Sequence, residues 1–277
     1  MVRNPFDLAV ENVIYRGAAL HHVARAGVNR TPKPVVLVNG SPKTGTTWMR
    51  RMILSLPGYR YHRNSGNGID RYRQAEPGDV YHGHDFFSPE LRNLLDAAGI
   101  RRVLMMRDPR DQTVSRMFHV RRDAQHPWHE RFKDLDEDAA LMACIEGSED
   151  ETLPSMQVMM RLTESWRGDP RVRFVRYEDL LAETGAVMKT VFTHLEIPVS
   201  GPLIRAIIAR NRFSRLTAGR KFWLRGRRPG EADAGSHYRK GIRGDWVNHF
   251  KPHHTARFKA LAGEMLAAWG YENDLDW

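Results

Sequence analysis

An α/β fold of three layers, a central parallel sheet with helices on both faces, is predicted by three observations on this 277-residue sequence. Short β-branched and apolar runs at 35–38, 103–106 and 172–175 alternate with segments whose apolar residues recur at helical spacing. The first such run passes into a helix through NGSPKTG, a string rich in strand-breaking glycine, serine and proline. A hydrophobic content of 41% with 27% charged residues is enough to bury a sheet on both faces in one body. The expected division is a helical lead-in over 1–30 and a single domain over 31–277.

Composition narrows the function classes. Cys144 is the only cysteine, so an internal disulfide and a thiolate metal cluster are excluded, and a reducing, cytoplasmic setting is expected. No apolar run approaches the roughly eighteen residues of a membrane span, and Asp7, Glu11 and Arg16 interrupt the region a signal sequence would occupy. The net charge of +10 is concentrated: residues 205–243 hold twelve Arg or Lys against two acids, Glu231 and Asp233. Such a block marks an anionic partner or a solvated loop. Its glycines and Pro229 argue for a long loop.

Taken in order, 7–26 places Val10, Val13, Ile14 and Ala18 on one face and reads as an amphipathic helix packed on the body. The strand at 35–38 follows. After Gly45, Met49, Met52, Ile53 and Leu56 mark a helix, with Thr44 or Thr46 available as its cap. Unpaired N–H groups of that first turn, at the positive end of the helix dipole, form an anion cradle. Gly40 and Gly45 have the spacing of a Walker loop, but Thr46 stands where that loop requires lysine, and Lys43 lies inside the loop instead. A Walker-type NTPase is therefore disfavoured.

PKTGTTW closely resembles the 5′-phosphosulfate loop of the sulfotransferases that use 3′-phosphoadenosine 5′-phosphosulfate (PAPS), the family of the cytosolic enzymes. The resemblance implies a P-loop-like three-layer fold, PAPS as co-substrate and no metal. It places Lys43, Thr44, Gly45, Thr46 and Thr47 around the phosphosulfate and Trp48 against adenine.

Residues 59–77 lack either period and read as a loop over a site; 79–84 read as a strand with His82 and His84 on one face. On the residues alone the pair reads first as structural histidines; the alternatives are a metal pair, with only Asp85 nearby as a third ligand, and a general base titrating near neutral pH. In the family a catalytic histidine ends the second core strand in a Lys-Thr-His setting. His84 matches it, while His82 occupies the lysine's place.

A helix over 88–98 opens with Pro89 and stops at Gly99. The strand at 103–106 runs into RDPRDQTVSRMFH, where Asp108 or Asp111 starts a helix with Val114, Met117 and Phe118 as its buried stripe. Arg107 at the strand's carboxyl end, with Ser115 two turns on, suits a phosphate; an ion pair of Arg107 with Asp108 or Asp111 is the alternative. The spacing matches the family's 3′-phosphate motif, R-x-P-x-D-x-x-x-S, and the resemblance adds Ser115 to Lys43 and His84 in the catalytic set.

Residues 121–138 read as a polar loop in which His126 and His129 are metal candidates or solvated side chains. Helices are expected over 137–146 and 153–166, a fourth strand over 172–175, and helices over 185–194 and 203–210. YEDL at Tyr177 resembles the family segment whose tyrosine approaches adenine. Phe213 fits an adenine-contacting phenylalanine, although Asn211-Arg212 replaces the usual Thr-Ser. RKGIRGDW resembles the family's R-K-G-x-x-G-D-W, which implies that Arg239, Lys240 and the N–H of Gly241 close on the 3′-phosphate. Phe258, Leu261, Met265, Leu266 and Trp269 make the final helix amphipathic, ending at Gly270. The Lys-Thr-Val-Glu dimerisation element of cytosolic relatives is replaced by VNHFKPHHTA, so a dimer of that kind is not expected.

The expected reaction is sulfuryl transfer from PAPS to a hydroxyl or amine of a small molecule, glycan or lipid, with the surplus positive charge favouring an anionic acceptor. Two rivals stand beside it, a nucleotide kinase with a degenerate P-loop and a module that binds nucleic acid or another anionic polymer through 205–243.

Overall fold

The computed structural model describes residues 13, 16–21, 33–62, 68–148, 150, 152–218 and 226–277. Most of the lead-in helix expected over 7–26 lies outside the described residues; 16–21 are helical, and Ala18 and Ala19 pack against the core.

Among the described residues five strands, β1 Val35–Gly40, β2 Arg60–Tyr61, β3 Asp79–His82, β4 Ile100–Met106 and β5 Val172–Arg176, form one all-parallel sheet in the order β2-β3-β1-β4-β5. Every residue of β1 is buried, as expected of a central strand covered on both faces. Alternation divides it between two cores: Val36 and Val38 face one, Val35 and Leu37 the other. The helices are α1 Thr46–Leu54, α2 Pro89–Ala97, α3 Pro109–Arg122, α4 His129–Phe132, α5 Glu137–Glu146, α6 Met156–Ser165, α7 Tyr177–Ala182, α8 Thr184–His194, α9 Gly201–Asn211, α10 Phe213–Ala218 and α11 Pro252–Ala268. α1, α8 and α9 cover the Val36 face through Met49, Met52, Met188, Val191, Leu203 and Ile207. α2 and α6 cover the other with Leu91, Leu95 and Leu162, joined by Trp166. α3 and α5 share a further cluster of buried apolar side chains. No helix among the described residues is long and apolar enough to cross a membrane.

Local chemistry explains where the elements depart from the sequence pattern. Neither threonine caps α1. Gly45 is its N-cap in a left-handed conformation, and Thr44 Oγ1 turns back to donate to Ser41 O at 2.7 Å. β3 ends at His82, so His84 stands on the loop beyond it. The stretch 59–77 contains β2 and a 3₁₀ turn, Ile69–Gln74, held by Tyr72, a single buried anchor that leaves no periodic signal. The polar stretch 121–138 contains α4, and the basic block begins in helix through α9 and α10. Asp108 caps α3 by accepting from Arg110 N at 2.9 Å.

Between the sheet and the turn before β5, Arg102 and Asp169 form an almost fully buried pair, Nε to Oδ2 at 2.5 Å, with Asp96 on a second guanidinium nitrogen at 2.8 Å. Removing one partner leaves an uncompensated buried charge. Asp169→Ala is expected to lower unfolding stability by about 3 kcal/mol, measured by urea titration; a loss under about 0.5 kcal/mol would mean that Asp96 alone satisfies Arg102.

Candidate active site

Parallel strands direct their carboxyl ends to one edge of the sheet, where ligands of open α/β sheets bind. Here β1 delivers the loop 41–45, β3 the segment 83–85 and β4 Arg107, around a cavity of about 610 Å³. Lys43, Gly45, Thr46, Thr47 and Trp48 line it, as do His84, Arg107, Ser115 and Tyr177, and on the far wall Phe213, Arg239, Lys240 and Gly241. Thr44 does not: its side chain is buried beneath the loop.

The loop is shaped by close approach. A Cβ on Gly40 would lie 2.5 Å from Met105 O, and one on Gly45 would lie 2.8 Å from the Tyr177 ring, so neither position has room for a side chain. Lys43 itself takes φ +74°, unusual for a residue with a Cβ. Gln112 on α3 braces the loop by donating to Ser41 Oγ at 2.8 Å and Pro42 O at 2.7 Å. The N–H groups of Thr46 and Thr47 open α1 and have no carbonyl four residues back within it. Burial, followed by the charges of Arg122 and Arg107, pulls the Lys43 amine down to about 7. Among the described residues no carboxylate pairs with it, so an anion is what this cradle lacks.

His84 Nδ1 lies 2.5 Å from Gly40 O, a carbonyl, so the neutral ring carries its proton on Nδ1 and leaves Nε2 as a proton acceptor. Although the ring keeps solvent-accessible surface, desolvation by the surrounding protein lowers its pKa; the Gly40 hydrogen bond and Asp85 act against this, and Lys43 and Arg71 with it. The segment is fastened to β1. Asn39 donates through Nδ2 to Asp85 O at 2.9 Å and accepts from Asp85 N at 3.0 Å. Trp166 Nε1 donates to the same carbonyl at 2.8 Å, and Tyr72 Oη donates to the Asp85 carboxylate at 2.6 Å. His82 hydrogen-bonds Thr46 Oγ1 at 2.9 Å; burial and then the neighbouring His84 bring its pKa down to about 3. It therefore supplies no positive charge where cytosolic relatives place a lysine. Among the described residues His82, His84 and Asp85 do not bring three donor atoms together, and neither do His126 and His129.

Opposite the loop, Arg107 stacks over the Tyr177 ring at 4.5 Å and donates to Lys43 O at 3.4 Å and Ile242 O at 3.3 Å, while its buried Nε has no partner among the described residues. Asp111, 3.6 Å away, is taken up by the N–H groups of Gly244 at 2.7 Å and Trp246 at 3.0 Å; Asp108 bonds Arg110. Arg239 and Lys240 both bond Asp245, Lys240 Nζ at 2.6 Å. Burial alone would raise Asp245's pKa, but the bonds from Lys240, Arg239 and Asn248 hold it well below the ordinary carboxylate range. Gly241 passes so close to Phe213 that a Cβ would lie 2.4 Å from the ring. Trp48 Nε1 donates to Asn211 O at 2.9 Å, and the indole meets Tyr177 edge-on at 6.0 Å.

Several residues that build the site had no motif to announce them. Asn39, Asp85 and Gln112 act through hydrogen bonds to backbone or side chains far away in the chain. Asp245 sat inside the RKGIRGDW string, where its acid beside two cations was the available signal. His119, His126 and His237 line the cavity from elements that gave no common pattern.

The cavity thus gathers cations and hydrogen-bond donors suited to a multiply charged anion, with Lys43 and the neutral His84 both in its lining. A model of the sulfotransferase domain family matches residues 33–270, and the chain belongs to that family. No curated protein sequence matches. Among solved structures, mouse sulfotransferase SULT7A1 complexed with PAP is 19% identical over 85% of both chains, with a TM-score of 0.66. Retinol dehydratase in complex with androsterone and PAP is 19% identical over 86% of this chain and 82% of its own, at 0.57. At such identity the likeness is one of fold.

Lys43 near pH 7 has a consequence for binding. An anion beside the amine raises its pKa, so protons are taken up on binding above pH 7, and affinity is full below that pH and falls as pH rises. At pH 8, where phosphates are already dianionic, calorimetry of adenosine 3′,5′-bisphosphate in buffers of different ionisation enthalpy should show uptake approaching about one proton. Lys43→Met should abolish it; equal uptake in that variant would assign the proton elsewhere.

Proposed function

We propose that this PAPS-dependent sulfotransferase moves the sulfuryl group to an acceptor hydroxyl or amine in a single in-line step, with His84 as general base and Lys43 at the leaving bridge oxygen. The observation that carries this reading is the fixed tautomer of His84. Its Nδ1–H is committed to Gly40 O, so Nε2 is the atom available to accept the acceptor's proton. PAPS supplies the activated sulfuryl group when bound; positioning and electrostatics are then the protein's contribution.

Lys43 holds its ammonium against the charge that develops as the sulfur–oxygen bond to the nucleotide breaks. The N–H groups of Thr46 and Thr47, with the threonine hydroxyls, grip the phosphosulfate end. Arg107, Ser115, Arg239, Lys240 and the Gly241 N–H hold the 3′-phosphate, and the unpartnered Nε of Arg107 supports that assignment. Trp48, Tyr177 and Phe213 form the wall against which adenine lies. Among the described residues no Asp or Glu lines the cavity, which suits side-chain cations as the charge partners and offers no carboxylate to the magnesium that a kinase would bring. The polymer-binding reading is weakened because Arg239 and Lys240, at the end of the basic block, turn inward to Asp245.

His84→Ala should keep its affinity for adenosine 3′,5′-bisphosphate and lose roughly 10²- to 10⁴-fold in turnover, measured with labelled PAPS; unchanged turnover would remove His84 from the base role. The bisphosphate should raise Tm more than ADP at equal concentration. Asp245→Ala, which frees Arg239 and Lys240 from their common anchor, should shrink that difference, and no preference for the 3′-phosphate in the parent enzyme would overturn the donor assignment.

A further inference from the structure

Beyond the cations given to the donor, one residue of the cavity wall carries a buried guanidinium with no counter-ion among the described residues. Arg116, 2% exposed, donates through Nη1 to Pro154 O at 2.7 Å and Cys144 O at 3.4 Å and lies over the Trp128 ring at 4.9 Å. Its Nη2 is buried without a partner among the described residues. A charge placed this way is costly unless something anionic meets it, and Arg116 lines the cavity.

Two imidazoles continue the same wall. His126 Nδ1 accepts from Trp128 N at 3.3 Å, so the neutral ring carries its proton on Nε2. His119 Nδ1 accepts from Arg122 Nη2 at 3.0 Å, which fixes the same tautomer. The two rings stand 5.2 Å apart, and His126 is 5.0 Å from Trp128, so Arg116, Trp128, His126 and His119 form one contiguous surface. Burial, then Lys43 and Arg122, keeps His119 neutral by drawing its pKa to about 3. The polar groups here whose state the geometry fixes are all donors. Neutral hydroxyls and amides need acceptors as well as donors, whereas carboxylates, phosphates and sulfates need donors alone.

We propose that Arg116, His119 and His126 form an acceptor subsite for an anionic group, so that the molecule sulfated is an acid bearing a hydroxyl or amine. Trp128 and Met159 supply the apolar wall for the body of that molecule. This rests on the sulfotransferase reading above and adds the acceptor's chemical class. It also relocates the basis for an anionic acceptor from the 205–243 block to α3 and the turn that follows it.

The test uses enzyme saturated with adenosine 3′,5′-bisphosphate, titrated calorimetrically with benzoate, phenyl phosphate and phenyl sulfate and with the neutral benzamide and benzyl alcohol. At least one anion should bind roughly tenfold or more tightly than both neutral compounds, and the best anion identifies which group the subsite takes. Arg116→Met should bring anion and neutral binding to parity with bisphosphate affinity unchanged. His126→Phe, at a half-buried position, should narrow the ratio in the same direction and keeps the test decisive if the Arg116 variant does not fold. Anions binding no better than neutrals would overturn the proposal. So would a fall in bisphosphate affinity in His126→Phe matching the fall for anions, because the subsite would then belong to the donor. Failure of the bisphosphate to bind the parent enzyme, seen in the first titration, would instead overturn the donor reading.

Discussion

Asn39 joins the two strand ends on which the chemistry stands. It closes β1, and its amide makes two hydrogen bonds to the backbone of Asp85, beyond the end of the neighbouring β3. Being buried, those bonds are not contested by water, and losing them would leave polar groups unsatisfied. Lys43 on one side and His84 on the other are therefore held in register by a side chain that touches neither. The Gly40 carbonyl completes the arrangement, since it lies one residue from Asn39 and sets the His84 tautomer. In the proposed in-line transfer a base and a leaving-group cation contribute only when held at a fixed separation, and this link would supply that constraint.

Charge follows a second rule. Of the cations that face the cavity, Lys43 and Arg116 have no carboxylate partner among the described residues, Arg107 lies 3.6 Å from Asp111, and Arg239 and Lys240 share Asp245. Desolvation by burial, followed by repulsion from neighbouring cations, depresses Lys43 and keeps His119 and His237 neutral. An anionic ligand relieves that repulsion, so the same electrostatics that destabilise the empty cavity favour its filling. The histidines add hydrogen-bond donors without adding further charge. His82 is the clearest case of departure from the cytosolic pattern, because a lysine there would add to the positive field and this imidazole does not.

Motif strings in this chain carry contacts that are local in sequence. VVLVNGSPKTGTTW contains its own strand, glycine turns and helix start, and four of the five parallel strands, the cavity-facing loop and the Arg107–Ser115 pair lie in such local strings, whereas β2 falls in a stretch without periodicity. Caps were less legible, since Thr44 and Thr46 had the right chemistry but Gly45 had the backbone freedom to occupy the N-cap. The 3₁₀ turn around Tyr72 and the short α4 escaped for the same reason, because one buried anchor creates no period.

The sequence by itself determined the family, four of the five strands and the glycine-bounded loop at the end of β1, because each depends on residues close together along the chain. Only the tertiary structure decided that His84 keeps its proton on Nδ1, that Asn39 ties its segment to β1, that Asp245 anchors two cations, and that Arg116 is buried without a counter-ion among the described residues. Tautomers, desolvation and unpaired charge are properties of what surrounds a group in space, and those surroundings here come from residues up to tens of positions away.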